Sequence, residues 1–306
     1  MKAYVFNGHG GPEVESLADV PRPDPGRGQL LIAVHASGVN PADWKRRTGA
    51  MRTAASPPEH FPVLFGREAA GVVEAAGAGV TGFAAGDAVF GNTDTGGFSE
   101  YALLPVDVTA HKPDGLSFTE AATLPVAAAT AYDGIRQLAL AAGATVLITG
   151  VGGGVGVAAA QIARHDGLTV IGTASAGKKA FIESLGVTHV EYGPGVAERI
   201  RRAAPQGIDG IFDQVGGQAL DEVAPLLTDR SKLISAGDRA TVARLGGSPV
   251  ARARNREVLD EVAQLVVSGV LDPLVTHTFP LDQAAQALRL VEDGHAQGKV
   301  VIEVSR

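Results

Sequence analysis

Apolar residues follow two different rhythms along the chain. From Met1 to about Ala121 they come as short runs broken by Gly, Pro and Asp. Met1-Lys2-Ala3-Tyr4-Val5-Phe6 opens the series, Gln29–Ala36 and the stretch Pro62–Gly77 continue it, and Asp87–Phe90 and Gly97–Ala102 follow. Short strands with turn signals between them predict a largely antiparallel β unit. Pro21-Arg22-Pro23-Asp24-Pro25-Gly26 reads as a stiff, exposed connection. From about Ser117 the rhythm changes. Apolar runs at 145–149, 169–173, 187–192, 208–213 and 231–236 alternate with helical segments such as Lys179–Leu185 and Gly217–Leu227. That alternation predicts a doubly wound parallel sheet. Ligands of such sheets sit at the carboxyl ends of the strands, so the loops after Thr149, Thr173, Asp213 and Ser235 are expected to line a groove. Arg239–Arg256 reads as a basic loop, either mobile beside that groove or exposed and without a role. In the tail, Leu281, Ala284, Ala285, Leu288 and Val291 recur at helical spacing. Gly298–Val304 then reads as a strand that either extends the parallel sheet or rejoins the β unit at the front.

One stretch is more specific. The run Thr145–Thr149 ends in Gly150-Val151-Gly152-Gly153-Gly154-Val155-Gly156, followed by a helical pattern to Arg164 and a second apolar run, Leu168–Thr173. Strand, glycine turn, helix, strand is the unit that binds a dinucleotide pyrophosphate. The turn needs residues without Cβ, and the helix start then offers free N–H groups and a positive dipole end to the anion. The spacing is one residue longer than G-x-G-x-x-G. An NAD site places an Asp or Glu about 20 residues beyond the first glycine to hold the ribose 2′-OH. No acid occurs from Gly167 to Ile182; Ser175, Lys178 and Lys179 stand there instead. A hydroxyl and two cations suit a 2′-phosphate and predict NADPH. The plainer alternative for the two lysines is a solvated helix start.

Composition narrows the chemistry. The chain has 306 residues, enough for two domains. With a net charge of −7 it makes a poor partner for nucleic acid or an anionic membrane. No apolar run is long enough to span a bilayer. The first residues lack the apolar core of a secretory signal, so a cytoplasmic location is expected. Cysteine is absent, which excludes disulfides, thiolate metal sites and a cysteine nucleophile. The eight histidines are scattered without metal-ligand spacing.

Taken together, Gly38–Asp43, Gly66–Val73, Gly86–Val89, the Leu124-Pro125 to Tyr132 segment, the glycine turn, Asp213–Gly217 and Gly298–Val301 resemble the medium-chain dehydrogenase/reductase superfamily in its zinc-independent quinone oxidoreductase branch. The resemblance covers nearly the whole chain. It implies an α/β protein with a GroES-like β-rich domain built from both chain ends, residues 1–121 and 269–306. A Rossmann dinucleotide-binding domain, residues 122–268, lies between them in sequence, and the active site falls in the cleft between the two domains. It also implies a homodimer or tetramer and cofactor contacts from Thr130, Val215 and Lys299. Zinc-binding relatives carry metal ligands at positions that correspond here to Asn40 and Arg67, so no metal is expected.

Without a metal to polarise a carbonyl, an already electrophilic hydride acceptor fits best, namely a quinone or an α,β-unsaturated carbonyl. The oxygen that gains charge then needs donors. The resemblance places the pocket at Asn40, Asp43, Trp44 and Lys45. Asn40 offers an amide to the substrate oxygen or the cofactor ribose, or else only shapes a turn before Pro41. Lys45 offers an ammonium to an enolate, or else is a surface lysine beside Arg46 and Arg47. Two competing functions stand beside the reductase: a zinc-free alcohol or aldehyde reductase, and a non-catalytic NADPH-binding sensor or structural protein.

Overall fold

Both rhythms of the sequence reappear in the computed structural model, which describes residues 1–53, 55–294 and 296–304. The chain forms two compact units. The first comprises residues 1–126, 254–267 and the tail from 275; the second comprises 127–253 and 268–274.

The first unit is β-rich. Its long strand Gln29–Val39 pairs antiparallel with Glu68–Ala76, with Tyr101–Pro105 and with the tail strand Lys299–Glu303. The strands Ala88–Asn92 and Thr109–His111 extend the sheet on one side and Val275–Pro280 on the other. Only the pair Val275–Pro280 with Lys299–Glu303 is parallel in this sheet. The tail thus rejoins the front of the chain. A second small sheet pairs Lys2–Phe6 with Glu15–Asp19 and Val63–Leu64. Residues of these strands (Phe6, Ile32, Val34, Leu104, Ile302), with Phe65 and Phe98 from the segments between them, fill one core, closed by Ala284, Ala287 and Leu288 of the helix Ala284–Glu292. The helix Arg256–Val267 belongs to this unit, although the sequence expectation grouped it with 122–268. Val267 lies against Gly115, and the Arg256 guanidinium sits over the Phe83 ring at 5.1 Å.

The second unit is a six-stranded, wholly parallel sheet. Its order is Thr188–Glu191, Thr169–Ala174, Thr145–Thr149, Gly210–Asp213, Leu233–Ser235, Ser248–Pro249. The four inner strands are buried along nearly their whole length, as in a parallel sheet covered on both faces, and the two edge strands are not. Arg239–Arg256 is not one loop. Asp238 accepts hydrogen bonds from the backbone of Ala240 and Thr241, which holds its carboxyl down at about 2 and starts the helix Arg239–Arg244. Val242 is buried, and Ser248–Pro249 then adds the sixth strand. A two-residue strand and a six-residue helix carry too little periodicity to be read from the sequence.

Candidate functional site

In the second unit the glycine turn is packed tightly from below and open above. Gly150 has φ +65°, which favours glycine. A Cβ on Gly156 would lie 2.6 Å from Val151 Cα, so the helix Gly154–His165 presses directly onto the turn. At Gly153 the nearest atom to a Cβ would be 3.7 Å away, leaving the backbone accessible. No side chain caps this twelve-residue helix, so its first N–H groups lack intrahelical or side-chain acceptors. Lys178 lies over Gly152: its Cδ would be 2.9 Å and its Nζ 3.8 Å from a Cβ there. Partial burial pushes the Lys178 ammonium below the usual lysine range. A dinucleotide pyrophosphate fits the N–H groups at this helix start, with Lys178 at the Gly152 side of the cradle. Val215 is 53% exposed and flanks Gly150, with a methyl 3.1 Å from where a Cβ would stand. Thr130 is buried in the helix Ala129–Leu138. Ser175 is half-buried at the end of the strand Thr169–Ala174, with no acid in its own segment from Gly167 to Ile182, while Glu191 of the neighbouring strand stands opposite Ala174. Lys179 pairs with Glu183 one helical turn on, and both are well exposed, as in a solvated helix start. One residue escaped the sequence reading. Tyr192 is 62% exposed, and its backbone N–H donates to Ala174 O at the neighbouring strand end. A strand-end aromatic next to Ser175 is its only sequence signal.

Beneath the turn, Asp213 organises the loops. It is fully buried; Oδ1 accepts from Thr149 Oγ1 (2.6 Å) and from the N–H groups of Val215 and Gly216, and Oδ2 accepts from Ser235 Oγ (2.6 Å). One carboxylate thereby fixes the ends of three adjacent strands.

In the first unit the helix Pro41–Arg47 carries the other predicted residues. Pro41 at its first position and Asp43 at its third start it: Asp43 Oδ2 accepts the Asn40 N–H at 2.8 Å. At the far end, buried Arg47 reaches Glu292 through two bonds of 2.8 and 3.0 Å and also pairs with Glu15. Asp43 is buried, and that burial raises its pKa to about 6 despite N–H bonds from Asn40 and Gly66 and the nearby Arg67 guanidinium. Lys45 is partly exposed; its ammonium lies 5.7 Å from the centre of the Trp44 ring and makes no hydrogen bond or ion pair among the described residues.

Asn40 and Lys299 are engaged internally. Asn40 Nδ2 donates to Glu68 Oε1 at 2.7 Å and to Gly38 O at 3.2 Å, so both amide hydrogens have protein acceptors. Lys299 Nζ donates to Asn40 Oδ1 (2.8 Å), Glu68 Oε1 (2.9 Å) and Val39 O (3.3 Å), which uses its three hydrogens. The expected cofactor contact of Lys299 therefore has no donor to rest on. Asn40 keeps acceptor capacity on Oδ1 but no free N–H for a substrate oxygen. A divalent metal does not fit this donor set, because Glu68 and Asn40 already face an ammonium and Arg67 adds a second cation. Among the described residues no three His, Asp or Glu converge.

Two predictions follow from these buried charges. Lys299→Met leaves the Glu68 carboxylate buried without a cation, held by the Asn40 amide and the Val126 N–H, and is expected to destabilise the first unit by about 3–5 kcal/mol. Lys299→Met with Glu68→Gln, which also removes the stranded charge, should lose less than the sum of the single changes in denaturant melts. Asp43 has a folded pKa of about 6, above that of an unfolded aspartate, so between about pH 4 and 6 the folded chain holds a proton that the unfolded chain has released. Its contribution to stability is present below that window and is lost as pH rises through it. Asp43→Asn should remove this fall from the stability–pH curve; a curve unchanged in shape would refute the assignment.

The comparisons agree with this architecture. Residues 26–114 match the alcohol dehydrogenase GroES-like domain, and residues 185–302 match the zinc-binding dehydrogenase domain. The quinone oxidoreductase of Rattus norvegicus is 32% identical over 334 residues, covering 99% of this chain and 97% of that one. The NADPH-dependent alkenal/one oxidoreductase of Arabidopsis thaliana chloroplasts is 31% identical over 317 residues, covering 99% and 79%. The quinone oxidoreductase of Coxiella burnetii superposes with a TM-score of 0.91 at 31% identity, covering 100% of this chain and 99% of that one. With sheet order, glycine turn and full-length similarity in agreement, the chain belongs to the quinone oxidoreductase branch of the medium-chain dehydrogenase/reductase superfamily.

Proposed function

We propose that the protein is an NADPH-dependent, metal-independent reductase of quinones or α,β-unsaturated carbonyl compounds. The observation that carries the cofactor choice is Lys178 lying over the open glycine turn, with no carboxylate in the segment from Gly167 to Ile182. Bound NADPH supplies a hydride; everything else falls to the chain. The N–H groups around Gly150, Gly152, Gly153, Gly154, Val155 and Gly156 take the pyrophosphate. Lys178 and Ser175 take the 2′-phosphate, and Tyr192 covers the adjacent ribose or adenine. Val215 and Thr130 bound the cofactor on the same unit. In the β-rich unit, Lys45 donates to the substrate oxygen that becomes negative, while Asp43 and Asn40 hold the helix that carries it. Two named relatives, a quinone oxidoreductase and an NADPH-dependent alkenal/one oxidoreductase, support this substrate range. Turnover of a quinone and enone panel with NADPH tests it. A protein that binds NADPH and reduces none of them is the sensor of the alternative reading.

Three outcomes are expected. NADPH should bind more tightly than NADH in calorimetric titration, and Lys178→Ala should weaken NADPH by about 10-fold while leaving NADH nearly unchanged, as for the loss of one charge-assisted bond of about 1.5 kcal/mol. Equal affinity of the wild-type protein for both nucleotides would remove the 2′-phosphate site. Lys45→Ala should lower kcat on an enone by about 100- to 1000-fold, the usual effect of losing one oxyanion donor, with the Kd for NADPH unmoved. Wild-type turnover in that variant would return Lys45 to the surface. The fold family also supports a homodimer in the cytoplasm; sedimentation equilibrium of the purified protein should give twice the chain mass.

A further inference from the structure

A cavity of about 420 Å³ opens in the β-rich unit beside the helix Pro41–Arg47, lined by Arg46, Arg52, Arg67, Glu59 and His60, with Pro57, Pro58, Met51 and Val63 forming its apolar parts. Its volume is within the range of small-molecule sites. Its charge is one-sided. Among the described lining residues Glu59 is the one carboxylate: Arg46 Nε donates to its Oε1 at 2.7 Å, while its Oε2 is buried without a hydrogen bond, with His9 and Arg52 at 3.2 and 3.7 Å. Arg52 also donates to Pro57 O at 3.1 Å. Arg67 differs from both. Its guanidinium makes no hydrogen bond among the described residues, where its favourable charge partner is Asp43. Asp43 already accepts from the Asn40 and Gly66 N–H groups. Burial and repulsion from Arg46 and Arg254 push the Arg67 pKa below its usual range. Arg67 is half-buried, and a fork of N–H donors with no protein acceptor among the described residues is available to a planar carboxylate, which meets it with two parallel bonds.

We infer that this cavity is an anion subsite in which Arg67, supported by Arg52, holds the carboxylate of an acidic quinone or enone substrate. The inference deepens the reductase reading and rests on it only for the reducible end of the molecule. Arg46 of the helix Pro41–Arg47 lines the cavity and Lys45, the residue before it, does not, so the carboxylate is held apart from the ammonium proposed to meet the carbonyl. An acidic substrate also explains why the cavity keeps apolar walls at Met51, Pro57 and Val63, which suit a hydrocarbon body rather than a bare inorganic anion.

The test separates binding from turnover. Benzoylpropionate, which cannot be reduced at a double bond, and its methyl ester are titrated into the full-length protein saturated with NADP⁺. The acid should bind roughly 10- to 100-fold more tightly than the ester, the effect of a charge-assisted bond. Raising the salt concentration should narrow that ratio. Arg67→Met should abolish the preference and Arg52→Gln should reduce it; the second variant, at a side chain one-third exposed, carries the test should Arg67→Met fail to fold. Equal affinity for acid and ester, or a preference that survives both substitutions, overturns the subsite. Turnover of benzoylacrylate and its methyl ester then judges the other reading. If the acid binds through Arg67 but neither compound is reduced, the subsite stands and the reductase falls. If both are reduced with equal KM, the reductase stands and the subsite falls.

Discussion

The β-rich unit depends on one buried ion pair. Glu68 opens the strand Glu68–Ala76 and Lys299 opens the strand Lys299–Glu303; these flank the long strand Gln29–Val39 on opposite edges, and both side chains are nearly or wholly buried. The carboxylate of Glu68 also accepts the Val126 N–H at 2.7 Å and the Asn40 amide, while the ammonium of Lys299 is satisfied by Asn40 and Val39. Removing two charges from water is expensive, and the mutual attraction offsets this only when the remaining donors and acceptors are also paired. Here they are, and Gly38 makes it geometrically possible: a Cβ there would lie 2.1 Å from Glu68 Oε1. A non-local pair of this kind favours one register of the tail strand against the front of the chain. A slip by one residue would turn Lys299 to the other face and leave Glu68 charged and alone.

The parallel unit was more legible in the sequence than the β-rich one, for a physical reason. Thr145–Thr149 and Thr169–Ala174 are buried on both faces, so their apolar runs are continuous and bounded by glycine. The helices between them have room for a full period. By contrast, the placement of Arg256–Val267 depends on Val267 meeting Gly115 and on Arg256 meeting Phe83, contacts between residues more than a hundred positions apart. An amphipathic helix tells which face is buried and not which core receives it.

The same limit governs the site. The glycine turn is a local device, so its residues, with Lys178 and Ser175, can be proposed as a cofactor cradle from spacing alone. Asn40 and Lys299 could not be assigned correctly that way, because a polar side chain's role depends on whether its donors are already satisfied, and their partners come from three distant segments. Tyr192 was missed because its exposure depends on sheet order. Thr188–Glu191 lies beside Thr169–Ala174, which brings an unremarkable strand-end tyrosine to the end of the cofactor strand.

Asp43 shows that the electrostatics of the β-rich unit are not arranged for stability alone. A carboxyl that burial raises to about 6 is partly held against its own ionisation, and asparagine would fill the same volume without that conflict. What aspartate provides is a second acceptor oxygen and a charge. The oxygens hold the Asn40 and Gly66 N–H groups, and the charge is the favourable partner of Arg67 among the described residues. Arg67 in turn is crowded by Arg46 and Arg254. Asp43 therefore stabilises a guanidinium that the surrounding cations would otherwise disfavour, and it does so without a hydrogen bond to Arg67, which lines the cavity. An arrangement that accepts a buried carboxylate in order to keep a concentrated positive field is understandable where that field acts on a ligand, and it has no counterpart in a unit built only to fold.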